Sequence, residues 1–496
     1  MPLVLGVEST TRSTTVELRD SADGRLFGSG RADHSARAVS ERVCSDQDPM
    51  EWWRALVDAR RDAGGALVVA AVAAAAQSHA LVALDGEGRV IRPAKLWGDT
   101  SGAPDAIALV RALGGPEDWA RACGSVPSSS FAIAKLAWMR RCEPESYARI
   151  EHVALAADWL TFRLSRQIVT DRGSASETGY FSPREQRWCP ELLELVDNRK
   201  EWGPCLPRLG VTGEPAGDRE GVMIAVGTGH SMAGALGLGA RPRDVVVSLS
   251  PHPCVYTVRE RPTEDSSGHV AGLADAAGRF LPRVDTPNLM PIIDAVTRML
   301  GGDATRFDRA ALDAPPGAEG LVFVPGARRE GMGSGGTGGV LVGMTPGITP
   351  ELVARAVMEG VVCSLLDGID ALRYADVPVG GRMFFLGAGA GTHALQRILA
   401  DLSGRVVCVP QGDRVATGAC VQAAATLHGA APDQIVAAWG LERVREIEPD
   451  PRVDAEEIRA AARAARQQGW DRGQDRIDDR DDRDERGGDG SDEAPR

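Results

Sequence analysis

Two stretches of this chain share one outline, and together they limit what it can fold into. Near the N-terminus, Leu3–Val7 is an apolar run, Glu8–Ser13 a hydroxyl-rich turn and Thr14–Leu18 a second apolar run. Further on, the glycine-flanked turn Ala225–Gly239 (A-V-G-T-G-H-S-M-A-G-A-L-G-L-G) leads to Val245–Tyr256 (V-V-V-S-L-S-P-H-P-C-V-Y), an apolar run broken by a Pro-x-Pro tip. Short apolar runs bounded by turn residues read as buried strands. A strand–turn–strand unit opening each half predicts a duplicated α/β domain with a ligand cleft between the copies.

At 496 residues the chain exceeds what one core can hold. Two domains are expected, 1–221 and 222–448, the boundary approached through the Gly/Pro-rich Gly203–Gly217. A charged, largely disordered tail is expected over 449–496, because Asp471–Arg496 mixes Asp, Arg and Gly without apolar spacing. The net charge of −13 argues against a nucleic-acid partner. No apolar run approaches the ~18 residues of a membrane span. The opening M-P-L-V-L-G-V-E lacks a secretory pattern. Nine scattered cysteines without C-x-x-C spacing fit reduced thiols, so a cytoplasmic protein is expected.

Between these landmarks the pattern predicts a helix over Pro49–Asp62 and a buried strand over Ala66–Ala76 that ends at Gln77-Ser78-His79. A hairpin around Asp85–Gly88 ends in Leu96-Trp97-Gly98-Asp99. Helices are expected over Pro287–Leu300, Pro350–Leu372 and His393–Leu402, and a strand over Arg382–Leu386. The turn Gly387-Ala388-Gly389-Ala390-Gly391 follows that strand and opens a helix, but the third glycine of a dinucleotide fingerprint would fall on Thr392. No acidic residue sits on a clear strand ~20 residues on, so an NAD-dependent oxidoreductase is set aside. There is no G-x-x-x-x-G-K-[ST] loop. Two turns rich in hydroxyls and N–H groups, facing each other across a cleft, can hold a triphosphate without one.

In several segments the chain resembles the FGGY family of carbohydrate kinases, in a xylulokinase-like form. The matching segments are Gly6-Val7-Glu8-Ser9-Thr10-Thr11, Gln77-Ser78-His79-Ala80, Leu96-Trp97-Gly98-Asp99 and Asp158-Trp159-Leu160-Thr161. They continue with Thr170-Asp171-Arg172-Gly173, Ala271–Ala276, Phe280-Leu281-Pro282 and Gly387-Ala388-Gly389-Ala390, so the match runs from about Leu3 to Leu427. The resemblance implies two actin-like (ribonuclease-H-like) domains: an N-terminal sugar-binding domain and a C-terminal nucleotide-binding one. It implies ATP and Mg2+ as cofactors, a small sugar or polyol as substrate, and leaves room for a homodimer. Ser78, His79, Trp97, Asp99 and Ser231 fall on sugar-side positions. Glu8, Thr11, Arg12, Ser250, Gly387, Ala388, Gly389 and Ala390 fall on nucleotide-side ones. A lone histidine is more often structural, but His79 sits within a matching motif, which favours the sugar-facing role. Trp97 fits a core indole equally, and the Gly387 turn a simple need for positive φ.

The departures from the family pattern are as informative. His230 stands where the family carries its aspartate base; a neutral imidazole can take a proton but lacks the anionic character. Glu8 replaces the family's aspartate, where it can hold Mg2+ through water, and Thr15 stands at a lysine position. The second phosphate loop, normally Gly-Thr-Ser-Gly, reads Ser250-Pro251-His252-Pro253, and its prolines delete two N–H donors. Gly326–Gly339 replaces another site segment and is flexible by composition. Two readings follow. One is a kinase transferring phosphate from ATP to a ketopentose such as D-xylulose or a related polyol, with altered or impaired catalysis. The other is a catalytically inactive homologue that binds sugar or nucleotide in a regulatory or partner-binding role.

Overall fold

Leu3–Ser9 is buried at every position, as a strand covered on both faces must be. It pairs antiparallel with Ser13–Asp20, Leu3 opposite Asp20 and Ser9 opposite Thr14, and parallel with Val69–Ala76. In the computed structural model, which describes residues 2–35, 45–250, 252–287, 289–326, 338–441 and 443–467, this trio forms the middle of a seven-stranded sheet. Val245–Ser248 repeats the arrangement. It pairs antiparallel with Cys254–Thr257 and parallel with Met383–Leu386 at the centre of a second seven-stranded sheet. The α/β class and the two hairpins expected from the sequence are therefore observed, one hairpin in each sheet.

The chain divides into two compact units. The first comprises Met1–Thr286, Asp367–Gly391 and Val406–Ile447 and holds both seven-stranded sheets. The second comprises Pro287–Leu366, Thr392–Arg405 and the chain from Glu448. It carries the helices Met290–Met299, Ala304–Asp313 and His393–Ser403 and the hairpin Val322–Pro325/Gly339–Val342. The charged stretch expected from 449 opens with a helix over 455–467, whose Ala462 and Ala465 are buried at i,i+3 spacing. Residues 468–496 and 327–337, the rest of the expected tail and most of the glycine-rich segment, lie outside the described residues.

Within the first unit, the helices His230–Leu238 and Arg414–His428 touch through backbone. A Cβ on Gly418 would lie 1.8 Å from the Ala233 carbonyl oxygen, and one on Gly237 would lie 1.8 Å from that of Arg414. The second helix also lies on the first strand, where a Cβ on Gly6 would come 2.2 Å from Ala416 O. Three glycines thus set a backbone-to-backbone stack of strand, helix and helix. It follows that Gly418→Ala destabilises the protein by about 1–3 kcal/mol through overpacking, despite a gain of ~1 kcal/mol in helix propensity. Urea unfolding measures it, with Gly203→Ala as control. No atom lies within 4 Å of a Cβ at Gly203, and its effect stays within about 0.5 kcal/mol.

Candidate active site

The strand Leu3–Ser9 delivers Glu8 to its C-terminal end, and the helix His230–Leu238 opens with His230. Thr228 Oγ1 donates to Asp171 Oδ2 at 2.6 Å, pinning the turn before that helix. His230 Nε2 then lies 3.0 Å from Glu8 Oε1. Asp413 completes the group. As N-cap of Arg414–His428 it accepts from the N–H groups of Val415 and Ala416 through Oδ1, and its carboxyl also bonds to that of Glu8.

Burial dominates the electrostatics of this trio. It raises Glu8 above the usual carboxylate range, and with the nearby Glu8 charge it raises Asp413 further. It lowers His230, against the opposing pull of Asp413 and Glu177. These directions favour Asp413 as the protonated carboxyl, Glu8 as the ionised one, and a neutral His230 with its proton on Nε2, the nitrogen 3.0 Å from Glu8 Oε1. Nδ1 is then a free lone pair, without a hydrogen-bond partner among the described residues.

Thr11, Ser78, Trp97, His230, Ser231 and Ser250 line one narrow cavity of about 20 Å³ with His252. The sequence thus singles out residues that the fold brings together. Trp97 and His252 stack with ring centroids 4.4 Å apart and planes 9° apart. Ser250 Oγ donates to the His252 carbonyl at 2.8 Å. Pro251 lies outside the described residues, so its missing N–H donor cannot be placed. A larger cavity of about 550 Å³, among Leu321, Phe323, Glu359 and Ile458 in the second unit, holds none of the residues singled out from the sequence.

His79 and Asp99 stand behind this surface, both wholly buried. Arg283 Nη2 donates to His79 Nε2 at 2.6 Å, and since a guanidinium cannot accept, His79 carries its proton on Nδ1 and donates to Glu177 O at 2.9 Å. Burial holds its pKa at about 3, so the ring is neutral and both nitrogens are committed. Asp99 accepts from Lys95 Nζ at 2.8 Å and from the N–H groups of Ser45 and Ser101 at 2.9 and 3.0 Å. It braces the loop that carries Trp97.

Arg283 itself escapes the sequence reading, though it follows the matching segment Phe280-Leu281-Pro282. It is 1% exposed and donates to Glu177 Oε1 at 2.5 Å and to Ser78 Oγ at 3.2 Å, with its Nε 2.8 Å from Asp285 Oδ1. Burial is the largest single influence and pushes both carboxyls up, but Arg283 together with the neighbouring His79 and Ser78 at Glu177, and His252 and His79 at Asp285, holds each below its ordinary range. Asp413 also escapes; its signal was an N-cap aspartate just before an apolar helix.

On the nucleotide side, Arg12 is exposed beside Thr11, and its guanidinium has no side-chain partner among the described residues. Gly387 adopts φ +93°, Ala388 is exposed, the Gly389 N–H donates to Leu249 O at 3.1 Å and that of Ala390 to Gly387 O at 3.0 Å. A Cβ at Gly389 would meet Leu249 Cδ2 at 2.4 Å, so this glycine serves close packing as well as the turn. Arg12 and Ala388 are both exposed, so neither is committed to the core. For Mg2+ the fit is poor. Glu8 already serves His230 and Asp413, and among the described residues no cluster of three His, Cys, Asp or Glu side chains could hold a metal ion.

Comparison with known proteins identifies the family. The family model for the N-terminal domain of FGGY carbohydrate kinases matches residues 3–231, and that for the C-terminal domain matches 291–427. A xylulose kinase of Streptomyces rubiginosus is 38% identical over 449 residues, covering 88% of this chain and 91% of that protein. One from Streptomyces coelicolor is 37% identical over 450 residues, with coverage of 88% and 91%. The crystal structure of xylulose kinase from Bifidobacterium adolescentis superposes with a TM-score of 0.77 at 30% identity, covering 94% of this chain and 99% of that one. This chain belongs to the FGGY family of carbohydrate kinases.

Proposed function

We propose that this protein transfers the γ-phosphoryl group of ATP to a hydroxyl of a ketopentose such as D-xylulose, or of a related polyol, with His230 as the general base. The observation that carries this reading is the 3.0 Å contact between His230 Nε2 and Glu8 at the edge of the cavity. A carboxylate on one imidazole nitrogen fixes the tautomer and steadies the imidazolium formed when the other nitrogen takes a proton. Nδ1 removes the proton of the attacking sugar hydroxyl, Ser78 and Ser231 orient that sugar, and Trp97 walls it. ATP, when bound, supplies the phosphoryl group; Arg12, Thr11 and Ser250 hold its phosphates and the Gly387–Ala390 turn its adenosine. A divalent cation enters with the nucleotide rather than on Glu8.

The division of labour follows the chain in part: Ser78 and Trp97 meet the sugar from 1–221, and Ser250 and the Gly387–Ala390 turn meet the nucleotide from 222–448. His230 and Ser231 reach the sugar, and Thr11 and Arg12 the phosphates, from the opposite halves. The protein acts in the cytoplasm on a small molecule, not on nucleic acid. In support, no described helix is long and apolar enough to cross a membrane, and the eight described cysteines are free.

One observation favours the second reading, an inactive homologue that binds sugar or nucleotide. The Ser250–Pro253 loop spends its serine hydroxyl on its own backbone, and the cavity is too narrow for a sugar until side chains move. Coupled ATP turnover with D-xylulose, D-ribulose and polyols separates the two. Under the kinase reading His230→Ala lowers kcat/KM by about 10²–10⁴-fold, the worth of a positioned base. Turnover no higher than an ATP-only blank refutes it, and calorimetry then shows whether sugar still binds.

The pH profile is a second check. Because burial holds His230 below its ordinary 6.5, the base is already neutral at pH 7. kcat/KM is therefore flat there and falls only as pH drops through the lowered pKa. In His230→Asp the acid limb follows a carboxyl that burial and Glu8 hold above its ordinary range, as they hold Asp413.

A further inference from the structure

Resting on the reading that the narrow cavity receives the sugar, we propose that His252 sets the upper size of the substrate, confining the site to sugars and polyols shorter than a hexose. His252 lies in the loop where the family carries small residues, yet it reaches the sugar side and stacks on Trp97 at 4.4 Å and 9°. The stacked pair lines a cavity that measures about 20 Å³.

The wall cannot easily swing aside. His252 Nε2 lies 3.4 Å from Asp285 Oδ1, and that carboxylate lies 2.8 Å from Arg283 Nε. Arg283 is in turn fixed by Glu177, and its other donors reach Ser78 and His79. The carbonyl of His252 accepts from Ser250 Oγ. A ring held at its face, its nitrogen and its backbone behaves as fixed volume while the other lining side chains move aside to admit a sugar. Fixed volume discriminates by length, because one methylene in a shaped pocket is worth roughly 10–200-fold. The same chain of contacts ties the size-setting wall to Ser78, so the wall and the hydroxyl that meets the sugar keep one relative position.

The test compares wild type, His252→Ser and His252→Phe, measuring the D-fructose to D-xylulose ratio twice: as Kd by calorimetry and as kcat/KM by coupled turnover. His252→Ser shifts both ratios toward the hexose by about tenfold or more. His252→Phe, which keeps a flat ring on Trp97 but loses the bond to Asp285, keeps the wild-type preference. Should the serine variant fail to fold, His252→Asn is read in its place with the same expectation. Unchanged ratios in the opened variant overturn the proposal, as does a shift in His252→Phe as large as in His252→Ser, which would credit the Asp285 pairing instead. If wild type binds D-xylulose without turning it over and the Kd ratio still shifts, the size limit stands while the kinase reading falls. Turnover by wild type with fixed ratios gives the reverse, and failure of every form to bind either sugar overturns both.

Discussion

A guanidinium removed from water has to be neutralised where it lies, and Arg283 imposes that requirement on the centre of this protein. Leaving one partner of such a buried pair alone costs about 3–5 kcal/mol, so Glu177 and Asp285 are tied to wherever Arg283 goes. The arginine rises from a strand of the second sheet, Phe280–Asp285, while Ser78 and His79 follow the strand Val69–Ala76 of the first. The ion cluster therefore pins one end of each sheet to the other within the same unit. His79 is consumed in doing so, because a neutral ring with both nitrogens bonded holds the arginine rather than a sugar.

The second constraint is that two carboxyls and an imidazole share one buried corner. Burial disfavours charge on all three, raising both carboxyls and lowering the imidazole, so the corner favours one negative charge shared between Glu8 and Asp413 beside a neutral ring. Under the kinase reading, a histidine base at position 230 is thus less of a defect than it looks in isolation. The anionic character that the imidazole lacks stands beside it on Glu8, and burial counters the protonation that neighbouring phosphates would encourage.

Local periodicity made the frame legible. Both hairpins, the helix Pro49–Asp62 to its very ends, the strand before Gly387 and the long helix from Pro350 follow from apolar spacing and turn residues. The motif matches also found most of the cavity wall. What they could not supply was orientation among adjacent residues. In Gln77-Ser78-His79 all three are buried, but the first two line the cavity while the last, at φ +59°, lies behind it with both ring nitrogens bonded. Asp99 likewise belongs to a matching motif but spends its oxygens on Lys95 and two backbone donors. Arg283 and Asp413 escaped because their partners are distant in sequence: Arg283 meets His79 across 204 positions, and no pattern of neighbours encodes such a pairing.

The five residues 249–253 join two strands whose register, Ser248 opposite Cys254 through Val245 opposite Thr257, is written in main-chain bonds. Those bonds do not depend on the side chains at the tip. A lineage could therefore exchange its grip on a nucleotide for a ring that gauges a sugar without renegotiating the sheet beneath. The scaffold in this sense is a socket and the loop a replaceable fitting, which is how one fold comes to serve many appetites.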